Sequence, residues 1–342
     1  SYMHEGVEVS HDRPVLLDRF LDGAIEVDVD AVSDGKQVMI AGVMEHIEPA
    51  GIHSGDSSCC LPPQTLSREI IEELKRQARL LAAELQVVGL MNIQFAVAKG
   101  GEIYILEVNP RASRTVPFVS KATGIPWAKV ASRVMAGKSL KEIGVRECEP
   151  KGYVSVKASV FPFSKFPGVD TILGPEMKST GEVMGLHTNF GGAFAKSQFA
   201  ANITLPTKGA VFLSIKDEDK EGLGAIIERL AKLGFSIIAT KGTAQYLTKM
   251  GFRVEIVNKV RDGSPHVVDK LGRGELVLVI NTPEGGSKPN MDSKSIRIVA
   301  NELRIPTYTT IAAAGAVSQA LEMVKDSSFL TVKALQDYYE IN

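Results

Sequence analysis

Residues 92–109 read NIQFAVAKGGEIYILEVN. Two apolar, β-rich runs, Asn92 to Val97 and Ile103 to Val108, flank the pair Gly100-Gly101, and Pro110 closes the second run. This pattern predicts two antiparallel strands joined by a tight turn. Glu107 and Asn109 are two apart on the second strand and so share a face, with Gln94 on the neighbouring strand. A carboxylate and amides rising from an otherwise apolar hairpin are hard oxygen donors of the kind that suits Mg²⁺ held together with phosphates. Arg111 and Arg114 follow directly, and guanidinium groups there could hold a transferring phosphoryl group or an anionic substrate. Ordinary charges on a half-exposed sheet edge would give the same letters, so the residues alone leave both readings open.

Upstream, Pro14 to Leu21 (PVLLDRFL) predicts a short apolar strand. From Ala24 to Glu48, Glu26, Asp28 and Asp30 alternate with Val27, Val29 and Ala31, the period of a half-buried strand. Asp34-Gly35 then predicts a hairpin turn, with a second strand running to Glu45. Glu45, His46, Glu48, His53, Ser54 and Asp56 crowd into EHIEPAGIHSGD. Such a loop can set backbone N–H groups and side chains around an anion, or be a solvated turn in which His46 is structural. It offers no clean set of four zinc ligands. Leu66 to Val88 predicts a helix, with Leu66, Ile70, Leu74, Leu81 and Leu85 at helical spacing and Ser67 as its cap.

Downstream, Pro117–Lys121 and Trp127–Met135 predict a helical pair. Gly144 to Lys208 is rich in Gly, Pro, Phe and Ser. It reads as strands and long loops completing a first domain or as a linker, and its aromatic residues favour the former. From Gly209 onward strands (AVFLSI, FSIIAT, RVEIV, ELVLVIN, TYTT) alternate with helical stretches, one of them Lys220 to Leu233. That order predicts a parallel sheet covered on both faces. The boundary is expected near residue 205, giving domains 1–204 and 205–342. In the second domain, Thr240-Lys241-Gly242-Thr243 opens a helix, a ready anion site. Lys259 and Arg261 add positive charge, and Asn281 and Thr282 end a strand where parallel sheets gather ligands.

The composition sets outer bounds. Of 342 residues, 44% are hydrophobic and 23% charged, and the net charge is −1. That is a soluble balance with enough apolar material for two cores, and it offers neither a nucleic-acid groove nor a basic membrane face. No apolar run reaches membrane-spanning length. The three cysteines and six histidines show no metal-ligand spacing, and a reduced, cytoplasmic setting is expected. The first residues carry no signal-peptide pattern and no initiator Met, as expected of a piece of a longer chain.

Four stretches, LLDRFLDGAIEVDVDA, GVMEHIEPAGIHSGDS, GLMNIQFAV and EVNPRASRTVPFVSKATG, resemble the second ATP-grasp unit of the carbamoyl-phosphate synthase large-chain family. KFPGVDTILGPEMKSTGEVMG resembles the segment that follows it, and the last part resembles that family's methylglyoxal-synthase-like regulatory domain. The similarity runs from about Pro14 to the C-terminus; EVNPR alone would indicate only the wider ATP-grasp superfamily. The resemblance implies an α+β partial ATP-grasp domain with an antiparallel sheet, followed by an α/β domain with a mainly parallel sheet. It implies ATP with Mg²⁺ or Mn²⁺ as cofactors, Gln94, Glu107 and Asn109 as metal and phosphate ligands, and Arg111 and Arg114 as active-site arginines. Leu21, Glu26, His53 and Ser54 would meet the nucleotide, Glu26 at the ribose.

The activity implied is carbamoyl phosphate formation from bicarbonate, glutamine-derived ammonia and two ATP, with this segment serving carbamate phosphorylation in pyrimidine and arginine biosynthesis. The implied partners are the remainder of the large chain, a glutamine amidotransferase small chain and a nucleotide effector of the UMP or IMP type. That effector would bind near Lys220, Thr240, Thr243, Lys259, Asn281 and Thr282. Because an N-terminal ATP-grasp subdomain is expected to be missing, the isolated piece is expected to be inactive. The alternatives are a non-catalytic effector-binding module and another ATP-grasp carboxylate–amine ligase such as the biotin carboxylase type. Enteric members also bind ornithine through acids that match Glu48 and Asp56 here, but a third acid is replaced by Ala158.

Overall fold

The computed structural model describes residues 21–283, 291–326 and 329–339. The strand expected from Pro14 lies outside these residues except for Leu21. Two sheets organise the chain. The first is antiparallel, seven-stranded and ordered β5-β4-β1-β2-β3-β6-β7. Its strands are β1 (Ile25–Asp34), β2 (Val38–Pro49), β3 (Cys59–Leu61), β4 (Val88–Val97), β5 (Ile103–Asn109), β6 (Val154–Val160) and β7 (Gly181–His187). The second is parallel and five-stranded, ordered β10-β9-β8-β11-β12. It comprises β8 (Ala210–Ser214), β9 (Ser236–Thr240), β10 (Glu255–Val257), β11 (Leu276–Asn281) and β12 (Thr307–Tyr308).

The hairpin β1–β2 turns at Asp34-Gly35, where Asp34 Oδ1 accepts from the amides of Lys36 and Gln37 and Gly35 takes φ +82°. Helix α1 (Arg68–Glu84) starts at the predicted cap, with Ser67 Oγ accepting from Ile70 N. Leu74 faces the sheet with Leu66, Ile70 and Leu81 beside it, whereas Leu85 falls past the last turn and is 52% exposed. Helices α2 (Val116–Thr123) and α3 (Trp127–Met135) cover the opposite face, around Trp127 and Val119.

This double cover corrects the half-buried reading of β1, because nearly all of that strand is buried. Val27, Val29 and Ala31 pack under α1. Glu26, Asp28 and Asp30, on the other face, are also buried. They are sheltered because polar partners from distant strands meet them.

A short turn, α4 (Leu140–Ile143), leads toward β6 and β7. Then comes an element absent from the sequence reading, α5 (Phe190–Ala200), capped by Asn189 Oδ1 accepting from Gly192 N at 2.8 Å. It packs on α10 (Ile311–Val324), which lies beyond α6 (Leu223–Lys232), α7 (Lys241–Lys249), α8 (Val267–Gly272) and α9 (Met291–Glu302). The last element among the described residues is α11 (Gln336–Tyr339). One apolar cluster runs from Val154 and Val156 through Phe194 to Leu213, Ile280 and Val317, so the two sheets are joined through shared core. No helix among the described residues is long and apolar enough to cross a membrane.

Candidate active site and effector region

A cleft of about 330 Å³ opens where β1, β4 and β5 meet the loop following β2. Its floor is the acidic face of β1. Asp28 Oδ2 lies 2.9 Å from His46 Nε2, and Asp28 Oδ1 and Asp30 Oδ1 both accept from Asn92 Nδ2. Ser113 and Thr115 donate to Asp30 at 2.9 and 2.7 Å. Among the described residues His46 Nδ1 has no hydrogen-bond partner, and it faces Glu26 at 3.8 Å. Burial alone would raise the carboxyl of Asp28, but the imidazole held against it keeps it below the usual range and keeps His46 protonated to higher pH. Glu26 has no direct hydrogen bond from His46, so burial wins and its carboxyl is raised. Burial likewise outweighs the three donors to Asp30 and pushes it up to about 6.

The walls carry most of the predicted residues. Gln94, Glu107, Arg111, Arg114, His53 and Ser54 all line the cleft with Glu26. Gln94 and Glu107 are paired in the β4–β5 ladder, next to a break in register after Gln94. Such an irregularity re-aims side chains at a sheet edge. Gln94 Nε2 donates to Ser54 Oγ at 3.0 Å. Asn109 donates from Nδ2 to Glu107, and its Oδ1 accepts from Arg111 Nη2. Asn109 therefore braces Glu107 and Arg111 from outside the cleft lining. Leu21 is also outside the lining, half-buried at the turn entering β1.

The His53 loop is tightly tied. His53 N donates to Gly174 O, His53 Nδ1 accepts from Gly55 N at 3.0 Å, and His53 O accepts from Asp56 N. The donors around Glu107 are one carboxylate with amide oxygens beside it, facing a cleft with two arginines. That set fits a hard divalent cation shared with phosphate oxygens. No group of three or more His, Cys, Asp or Glu among the described residues is arranged to hold a metal ion.

Sequence reasoning missed several cleft residues. Lys157, on β6, is fully buried and donates from Nζ to Ser54 O at 3.1 Å, while Glu182 on β7 stands 3.6 Å from Arg114 Nε. Asn92 ties Asp28 to Asp30. A lysine within VSVKASV has the period of an outward-facing strand residue, so only the closing of the sheet places it inward.

In the parallel sheet, the predicted residues gather around Ser214 at the end of β8. Thr240 Oγ1 lies 3.4 Å from Ser214 Oγ, and Asn281 Nδ2 and Thr282 N both reach Ser214 O. Thr243 Oγ1 accepts from Ile215 N, and Thr282 Oγ1 accepts from Lys216 N at 2.9 Å. Both hydroxyls are thus committed to the main chain after β8. Lys220 Nζ pairs with Asp217 and lies near Gly242 at the start of α7. Lys259 caps the turn Val260–Asp262, its backbone N donating to Asp262.

Residues 3–143 match the family described as carbamoyl-phosphate synthase L chain, ATP binding domain, and residues 222–309 match the MGS-like domain. The chain is 55% identical over 337 residues to the carbamoyl phosphate synthase large chain of Ralstonia nicotianae, covering 98% of this chain and 31% of that one. It is 51% identical to that of Methanothermobacter thermautotrophicus, covering 99% of this chain and 32% of that one. The chain therefore spans about a third of these relatives' length. Among solved structures, the biotin carboxylase domain of a single-chain bacterial carboxylase aligns at 17% identity and a TM-score of 0.44, covering 57% of this chain and 56% of that one.

Proposed function

The chain belongs to the carbamoyl phosphate synthase large-chain family, whose C-terminal portion it matches, and we propose that it serves the carbamate-phosphorylating step and its allosteric control. The observation that carries this reading is the convergence of Glu26, Ser54, Gln94, Glu107, Arg111 and Arg114 on one cleft from four separate stretches of sequence. In the proposed step, a carbamate oxygen attacks the γ-phosphorus of ATP and ADP leaves. Carbamate is already anionic, so no general base is needed. Arg111 and Arg114 neutralise charge on the transferring group, and Glu26 takes the ribose hydroxyls. Gln94 and Glu107 would hold Mg²⁺ or Mn²⁺, with Asn109 bracing Glu107 beside them, and the ion would supply charge neutralisation and phosphate orientation. The His46–Asp28–Asn92 network keeps the floor rigid, so that positioning, the main catalytic resource in phosphoryl transfer, is preserved.

In this reading the effector site lies in the second unit, around Thr240, Lys220, Lys259 and Asn281, and takes a nucleoside monophosphate. Catalysis would need the remainder of the large chain and an amidotransferase small chain. The test is the reverse reaction, ATP synthesis from carbamoyl phosphate and MgADP, in the intact synthetase. Arg111→Ala and Arg114→Ala should each lower it about 100-fold or more, while bicarbonate-dependent ATP hydrolysis persists. An unchanged reverse rate in both variants refutes the assignment.

A further inference from the structure

Arg297, on α9 of the parallel-sheet unit, is almost wholly buried, a costly place for a guanidinium unless its donors are used. Its Nη1 donates to Asn281 Oδ1 at 2.9 Å. Its Nε and Nη2 make a two-point pair with Asp170 Oδ1 and Oδ2, at 2.6 and 2.7 Å. Asp170 belongs to the other unit, 127 residues away in sequence, in the segment between β6 and β7. One cation thus fixes the rotamer of a candidate effector ligand and holds a segment of the ATP-grasp unit.

That segment reaches the cleft. Asp170 Oδ1 also accepts from Ile172 N, and Ile172 O accepts from Lys178 Nζ at 2.6 Å. Gly174 O receives His53 N, and Pro175 lines the cleft itself. The amides of Lys178 and Ser179 close on the carboxylate of Asp56, in the His53 loop. Every link from Asn281 to His53 is a hydrogen bond or a covalent step within residues 170–179.

A buried ion pair of this kind adds little net stability over apolar packing of the same volume, whereas its two-point geometry fixes relative orientation strongly. We propose that Arg297 is a positioning residue that couples the two sites: a ligand engaging Asn281 alters the Arg297–Asp170 clamp and, through residues 170–179, the seating of His53 at the ATP cleft. The inference rests on the reading of the Asn281 region as a nucleotide effector site. Coupling is reciprocal, so ATP should alter effector affinity by the same factor as effector alters ATP affinity.

The test is titration of the intact synthetase with UMP and with IMP, each with and without MgATP. Asp170→Asn removes one charge and half of the fork while leaving the cleft residues in place. Its effector affinity without ATP should stay within about threefold, and the several-fold mutual effect expected between the two ligands should fall toward one. Asp170→Glu should recover part of it. Amide exchange at residues 172–179 should respond to nucleotide in the parent and not in Asp170→Asn. If Asp170→Asn does not fold, Arg297→Lys is the second variant: it keeps the charge, loses the fork, and should show the same loss. A folded Asp170→Asn or Arg297→Lys protein with the parent's full coupling overturns the inference and leaves the effector site standing. A parent enzyme that binds neither nucleotide overturns the effector reading and the inference with it.

Discussion

Gln94 and Glu107 stand opposite one another in the β4–β5 ladder, yet the Gln94 amide turns to Ser54 while the Glu107 carboxylate is braced by Asn109. The two side chains flank the cleft from adjacent strands, and Glu107 retains acceptor capacity toward it. Glu107→Ala in the intact synthetase should lower carbamate phosphorylation by two or more orders of magnitude, about 3 kcal/mol or more of transition-state stabilisation. Bicarbonate-dependent ATP hydrolysis should stay within severalfold. Equal loss of both partial reactions in a folded protein would remove Glu107 from the second step.

Asp30 sets a pH dependence of stability. Burial raises its folded value to about 6, above the roughly 3.9 of an exposed aspartate. The folded state therefore binds this proton more tightly than the unfolded one. Its contribution is fully present below the unfolded value and is lost as pH rises through the folded value. That rise corresponds to roughly 3 kcal/mol. Glu26 is raised in the same sense, so the informative quantity is the difference between parent and Asp30→Asn in urea unfolding. That difference should turn against the parent between about pH 4 and pH 7. A flat difference would mean that Asp30 titrates normally.

Thr243, proposed to lie near the effector phosphate, receives the Ile215 amide on its hydroxyl at 3.0 Å in a buried setting. Thr243→Val keeps the shape and strands that N–H, which costs about 1–3 kcal/mol. The urea midpoint should drop even without nucleotide. An unchanged midpoint with weakened nucleotide binding would make Thr243 a direct contact rather than a brace for the turn.

Local signals carried much of the fold. The strand ending at Asn109, the Ser67 cap and the Asp34-Gly35 turn all act within a few residues, and each stands where the sequence placed it. Long-range pairing was not legible. Asp28 is buried only because His46 and Asn92, 18 and 64 residues away, meet it. Lys157 points inward only because β6 closes on β3. Helix α5 was hidden by its two glycines, which are poor helix formers. Gly191 admits Gln319 of α10, where a Cβ would come within 2.7 Å of Gln319 O.

The same close approach recurs at Gly185 of β7. A Cβ there would lie 2.1 Å from Ala193 O and 2.4 Å from Ser197 N, both main-chain atoms of α5. Backbone cannot rotate aside as a side chain can, so Gly185→Ala must push α5 off the sheet and open the core shared by the two units. The expected loss is about 2–4 kcal/mol, at the severe end for a single methyl. A thermal midpoint within two or three degrees of the parent would show that α5 shifts without cost.

Ornithine should activate the synthetase to which this chain is proposed to belong weakly or not at all. Of the acids that the family resemblance aligns with an ornithine site, Asp56 is almost fully buried and both its oxygens already accept from Lys178 and Ser179 amides. Glu48 accepts from Ser58 N at 2.6 Å, and burial pushes its carboxyl up to about 6. A partly protonated Glu48 below that pH is a weaker partner for an ammonium. The third position is Ala158, buried on β6 opposite Val183 of β7. A methyl group accepts no hydrogen bond, and an ammonium drawn from water without its carboxylate loses hydration uncompensated. One missing charge-assisted contact costs about 1.5–3 kcal/mol, which weakens binding by about ten- to a hundredfold. Nucleotide control should be unaffected, because Thr240, Lys259 and Asn281 lie on the parallel-sheet unit. The measurement is ornithine titration of the intact synthetase at limiting ATP beside Ala158→Glu, which should gain activation. Strong activation of the parent at sub-millimolar ornithine, unchanged by that substitution, would show that another group holds the second ammonium.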